Sequence, residues 1–95
     1  MSTANQTASP NNPTWRVEVR VLPKEGVNDP QGDAIKSGLH ALGFAETGSV
    51  RCGRFLLLEV IASDAAGAEQ SARRMCDRLL ANPVIEAYEV RVLTQ

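Results

Sequence analysis

Aromatic residues are nearly missing from this chain: Trp15, Phe44, Phe55 and Tyr88 are the full set. Stacking platforms for nucleic-acid bases are therefore poorly supplied. Cysteine is as scarce. Cys52 and Cys76 are too few for a disulfide framework or a zinc site. Cys76 falls on the apolar stripe of a predicted helix, where a free thiol behaves as a small hydrophobe. An excess of positive charge is also lacking, since 10 Lys and Arg stand against 11 Asp and Glu for a net charge of −1. Nucleic acid and anionic membranes usually demand a basic surface, so neither is expected as a partner. No apolar run approaches membrane length, and the N-terminal stretch has no signal-peptide core. The expected compartment is the cytoplasm.

What is present is an ordinary globular composition, 43% hydrophobic and 22% charged over 95 residues. That length allows one small domain with a modest core, a situation often helped by oligomerisation. Residues 1–14 carry no charge and almost nothing apolar. They read as a flexible tail, and residues 15–95 as the single folded domain.

Trp15, Val17, Val19 and Val21 alternate with Arg16, Glu18 and Arg20, a period of two that marks a strand with one buried face. A helix is expected from Pro30 to Leu42, with Ile35, Leu39 and Leu42 at helical spacing and Gly43 as its left-handed terminator. Ala45–Val50 reads as a weaker strand, and Gly53 as a tight turn into the next one. Phe55–Ile61 is apolar on both parities, with only Glu59 to offer water. One of its faces can meet the helices; the other predicts an oligomer interface. Ser63 or Asp64 caps a second helix that runs to about Leu80. Asn82-Pro83 ends it. Ile85–Leu93 is the last strand, with a bulge expected near Ala87.

The predicted order is β-α-β-β-α-β. The expected fold is a two-layer α+β sandwich with two helices on one face of a mainly antiparallel four-stranded sheet, similar to the ferredoxin-like arrangement. Its first and third strands would be central.

Catalytic constellations are hard to assemble. His40, the single histidine, lies off the apolar stripe of its helix and reads as a surface residue. Ser37, Ser49, Ser63 and Ser71 sit in no nucleophile-elbow motif. Gly48 and Gly53 flank Val50-Arg51-Cys52 without a following helix or a Lys-Ser/Thr pair, so they form no phosphate loop. Asp29 could be imagined as a general base. A carboxylate that caps a helix has a lowered pKa and serves poorly as one at neutral pH. The capping role is preferred, with Pro30 at the first helical position and Gly26 and Gly32 leaving the backbone approachable. Arg51 and Arg54 straddle a turn and suit either an anionic partner or a solvated tip.

Pro23-Lys24-Glu25-Gly26-Val27 followed by Asp29-Pro30-Gln31-Gly32 resembles the start of the PurS family, the small subunit of phosphoribosylformylglycinamidine (FGAM) synthase. Leu42-Gly43-Phe44, Val50-Arg51-Cys52-Gly53-Arg54, and Cys76 through Leu79-Leu80-Ala81-Asn82-Pro83-Val84-Ile85-Glu86 fit the same family in the same order. The similarity runs from about Val17 to Leu93; the N-terminal tail departs from it. The resemblance implies a purine-biosynthetic assembly subunit with no catalytic residue, metal or cofactor of its own. It would join a PurQ-like glutaminase subunit to a PurL-like synthetase subunit, support ammonia transfer between them, and associate with itself as a dimer or tetramer. ATP and Mg would belong to the synthetase subunit, and the glutaminase cysteine to the PurQ-like subunit. Partner-binding residues would be Asp29, Pro30, Gln31 and Gly32, with Arg51, Gly53, Arg54, Asn82 and Pro83. An alternative from another class is a stand-alone regulatory module that binds a small metabolite as an oligomer.

Overall fold

The structure is a computed structural model that describes residues 12–93. Its elements are β1 (Thr14–Pro23), α1 (Pro30–Ala41), β2 (Arg54–Ile61), α2 (Ala65–Met75), a π-helical turn continuing α2 (Cys76–Leu80), and β3 (Glu86–Val92). The expected tail of residues 1–14 lies outside the described residues up to position 11. Its last members belong to the fold: Thr14 opposes Ile61 in β2, and the Pro13 carbonyl accepts from the Ala62 amide at 3.2 Å.

The sheet is antiparallel and three-stranded, in the order β2-β1-β3. The alternation in β1 decides its two faces. Val17, Val19 and Val21 point inward and are fully buried. Leu56, Leu58 and Val60 of β2 and Tyr88, Val90 and Val92 of β3 share that side. Helix α2 covers it with Ala68, Ala72 and Cys76, all fully buried. These side chains recur every four residues and are small, so the helix lies close to the valines. Each buried valine contributes about 1.5–3 kcal/mol.

The ends of α2 are well made. The Asp64 carboxylate accepts from the Gly67 amide at 2.7 Å. At the other end the helix widens, and the Ala81 amide reaches the Cys76 carbonyl at 3.0 Å. The opposite sheet face is uncovered. Phe55 and Leu57 are 56% and 58% exposed there. They lie beside a charge ladder in which Glu18 faces Arg20 at 3.4 Å and Arg91 at 3.8 Å. The apolar residues of Phe55–Ile61 thus divide between a face covered by α2 and an exposed face.

Four expectations need correction. Residues 45–50 form no strand, so the described residues hold three strands and not four. The return chain is bound to α1 instead: His40 Nε2 lies 2.8 Å from the Thr47 carbonyl, and the Thr47 amide donates to Phe44 at 3.1 Å. Gly48 and Ser49 add little strand propensity. Second, only α2 packs on the sheet. Helix α1 projects as an arm, leaving Ile35 42% and Leu42 76% exposed. Third, Phe55–Ile61 is an edge strand; β1 alone is central. Fourth, no bulge occurs at Ala87, because the register runs unbroken from Pro23 opposite Glu86 to Val17 opposite Val92. Ile85 instead precedes the strand, in a turn where its carbonyl accepts from the Lys24 amide at 2.8 Å.

Candidate functional site

Three segments far apart in sequence meet at one end of the sheet: the loop before α1, the Val50–Arg54 segment, and the turn from Asn82 to Glu86. Asp29 joins the first two. One carboxylate oxygen accepts from the Gly32 amide at 3.0 Å, and the other from the Cys52 amide at 2.8 Å. These backbone donors, first Gly32 and then Cys52, hold its carboxyl below the usual value, with Arg51 adding to the effect. Such a group stays ionised and clamped, so it caps the helix and does not act as a base.

Gly32 departs from its expected role as an approachable surface position. It is buried. A Cβ there would overlap the Val50 carbonyl oxygen and lie 2.8 Å from the Asp29 carboxylate. Only glycine lets the return chain pass this close. Gly53 serves β1 in the same way: a Cβ would overlap the Val21 carbonyl oxygen and lie 2.7 Å from Leu22 Cδ2. Close backbone approach is what this position requires. Gly26, in contrast, adopts the left-handed conformation with φ +84° and open space around it.

The arginines of the predicted turn are engaged within the chain. The Arg51 guanidinium donates to the Pro23 carbonyl. Arg54 makes a two-point pair with Glu86 at 2.8 and 3.0 Å and donates to the Leu80 carbonyl at 2.7 Å. It thereby closes the end of α2 with a cation, where the helix dipole favours one. Arg54, followed by the Asn82 amide at 2.8 Å, holds the Glu86 carboxyl below its usual value. Lys24 Nζ donates to the Pro83 carbonyl at 2.6 Å, tying the first loop to the third segment. Lys24 and Glu86 are site members that sequence reasoning did not single out. Opposite charges on Arg54 and Glu86 were the available signal, without a spacing rule to pair them.

Pro30, Gln31, Asn82 and Pro83 present outward from this locked end and are exposed. A cleft of about 290 Å³ opens between the loop before α1 and the return chain, lined in part by Lys24, Val27, Asp29, Val50 and Arg51. The nine residues expected to bind partners therefore divide into four exposed residues and five that hold the segments together, of which Arg51, Gly53 and Arg54 are exposed as well. Among the described residues, no three His, Cys, Asp or Glu side chains gather as a metal site. Cys76 is fully buried. Burial, with Asp77 beside it, pushes its thiol up, away from nucleophilic use.

The fold and this end of it define a small α+β domain with a rigid, loop-built surface. The model of the family described as "PurS: Phosphoribosylformylglycinamidine (FGAM) synthase" matches residues 16–94. The PurS subunit of Bacillus subtilis is 40% identical over 78 residues, covering 82% of this chain and 92% of that protein. The PurS subunit of Synechocystis is 41% identical over 75 residues, covering 79% and 75%. Among solved structures, the PurS subunit of Thermotoga maritima aligns with a TM-score of 0.80 at 32% identity, over 87% of this chain and 95% of that one. A chain in the structure of PurLQS from Thermotoga maritima aligns with a TM-score of 0.78 at 33% identity, over 85% and 99%. The chain belongs to the PurS family of FGAM synthase subunits. Its place is in the glutamine-dependent, ATP-using ligase of purine biosynthesis.

Proposed function

We propose that this chain joins a PurL-like synthetase subunit and a PurQ-like glutaminase subunit and supports ammonia transfer between them. The observation that carries this reading is the locked loop cluster, considered beside the likeness to a chain of the PurLQS structure. A surface that docks large partners gains from being fixed beforehand, because less ordering entropy is lost on binding. Asp29, Gly32, Arg51, Gly53 and Arg54 do the fixing. Pro30, Gln31, Asn82 and Pro83 make the contact. ATP and Mg are assigned to the synthetase subunit, and the complex to the cytoplasm. Among the described residues no helix is long and apolar enough to cross a membrane. The chain also associates with itself as a dimer or tetramer.

Gln31→Arg tests the docking claim, because Gln31 is exposed while Gly32 is not. The variant is expected to keep its melting curve and oligomer size while losing synthetase capture and glutamine-dependent FGAM formation. Ammonia-dependent synthesis is expected to persist. Full assembly and activity would place the contact elsewhere. A regulatory module would instead show stabilisation of the isolated oligomer by a small metabolite.

A further inference from the structure

The turn that leads into β3 is tied down through its backbone, yet it carries an apolar side chain into solvent. The Asn82 amide donates to Glu86 Oε1 at 2.8 Å, and the Val84 amide to Asn82 Oδ1 at 3.0 Å. The Ile85 and Glu86 amides both donate to the Asn82 carbonyl, at 3.2 and 2.7 Å. Pro83 has no amide to satisfy. Two further ties come from the end of β1 and the loop after it. The Pro83 carbonyl accepts from Lys24 Nζ at 2.6 Å, and the Ile85 carbonyl from the Lys24 amide at 2.8 Å. Glu86 is held in turn by Arg54.

Nothing inside the chain uses the Val84 side chain. It is 78% exposed, and it belongs neither to the buried core nor to the hydrophobics packed against that core. A single exposed apolar residue is ordinary by itself. What sets Val84 apart is the fixed turn beneath it. A β-branched side chain is stiff at χ1, and here its backbone is already ordered. Enclosing it therefore costs little further entropy. We propose that Val84 is the apolar anchor of the docking end and inserts into an apolar socket on the PurL-like synthetase subunit. This rests on the docking reading above and names its central contact.

Two observations favour that occupant. The first is continuity. Val84 follows Asn82 and Pro83 directly, and Lys24 ties this turn to the loop that leads to Pro30 and Gln31. The anchor thus belongs to the surface already assigned to synthetase contact. The second is the state of the polar groups around it. Glu86 is paired with Arg54, and Lys24 Nζ holds the Pro83 carbonyl. A socket that closes over Val84 strands no lone carboxylate, whose desolvation would oppose binding. These residues supply the polar rim that surrounds an apolar contact centre. Ile85 and Leu22, both exposed, add apolar area at the same end of the sheet.

Assembly is read by titrating the chain into the synthetase and glutaminase subunits with glutamine, ATP and Mg and following FGAM formation. Val84→Thr keeps the branched shape and exchanges one methyl group for a hydroxyl. It is expected to raise the half-saturating concentration about tenfold, and Val84→Asp about a hundredfold or more. Both variants should keep their melting curves and oligomer size. Normal half-saturation in Val84→Asp would overturn the anchor. A changed oligomer size in either isolated variant would also overturn it, by placing Val84 between copies of this chain. Cross-linking identifies the occupant. In a Cys52→Ser background, Val84→Cys carrying a short photoreactive label is expected to attach to the synthetase subunit. Attachment to the glutaminase subunit or to a second copy, or none within an assembled complex, would overturn the proposal. Gln31→Arg measured alongside separates the two claims. If it blocks assembly and Val84→Asp does not, the anchor falls and the docking end stands; if neither blocks assembly, both fall.

Discussion

Val17, Val19 and Val21 are fully buried beneath α2, while Ile35 of α1 and Leu42 at its C-terminal cap are 42% and 76% exposed. The two regions began from equally clear sequence patterns. In the sandwich, the period-two face of β1 meets the period-four face of α2, and each satisfies the other. In the arm, a helical stripe of the same quality finds nothing within its own chain. Amphipathic pattern specifies that a face needs cover; it does not specify which molecule supplies the cover. The arm is held by polar contacts at its base, with Asp29 as their centre, whereas the sandwich is held by apolar burial.

The sharpest way to separate the regions is by their glycines. Gly53→Ala drives a methyl group into the Val21 carbonyl and is expected to be among the most damaging point changes, at about 4 kcal/mol or more. Gly38→Ala enters open space on the arm helix and is expected to stabilise by about 0.4–1 kcal/mol. Chemical denaturation of both variants would show the opposite signs; equal losses would erase the distinction.

Truncation of apolar side chains comes next. Val19→Ala removes core volume and should cost about 2 kcal/mol of folding stability. Leu42→Ala should leave the folding of the single chain nearly unchanged and weaken self-association. Melting curves over a range of protein concentrations separate the two, since only the arm variant should alter the concentration dependence.

Acid acts on both regions, through Glu86 in the sandwich and Asp29 at the base of the arm. Glu86 is held below its ordinary value of 4.5, chiefly by Arg54. A lowered folded pKa means that its contribution is present above the unfolded value and is lost as pH falls through the folded one. Asp29 behaves in the same direction through its backbone donors. Melting temperature is therefore expected to fall as pH drops below about 4, and Glu86→Gln should flatten that part of the profile. A wild-type slope in Glu86→Gln would assign the acid sensitivity to Asp29 and other carboxylates.

The smallest effect is expected at Pro83. Pro83→Ala should cost about 0.5–1 kcal/mol through unfolded-chain entropy. Its carbonyl, which accepts from Lys24, remains in the variant. A loss of synthetase affinity larger than the loss of stability would mark Pro83 as a contact residue.

Much of this was legible from residue order. Alternation in β1, the Asp29-Pro30 cap, a second cap narrowed to Ser63 or Asp64, Gly43 at φ +99°, and the stop at Asn82-Pro83 are local features with local causes. The capping preference for Asp29 followed from the same chemistry. The pairing of Arg54 with Glu86 was not legible, nor was the link from Lys24 to Pro83, because each joins segments whose separation carries no period. The role of Gly32 was misread for a related reason. A glycine that makes room for another part of the chain looks the same in sequence as one that makes room for a partner.

Local pattern alone determined both helices and the three observed strands, which face of each is apolar, and where each helix begins, but it also read residues 45–50 as a strand that does not form. It also carried the family signature. Tertiary structure decided the number of strands, the projection of α1, and the assembly of three distant segments into one rigid end. The physical reason is range. Propensity, capping and amphipathic period act over a few residues, while backbone proximity at Gly32 and Gly53 and the ion pair at Arg54 exist only once the chain has closed on itself.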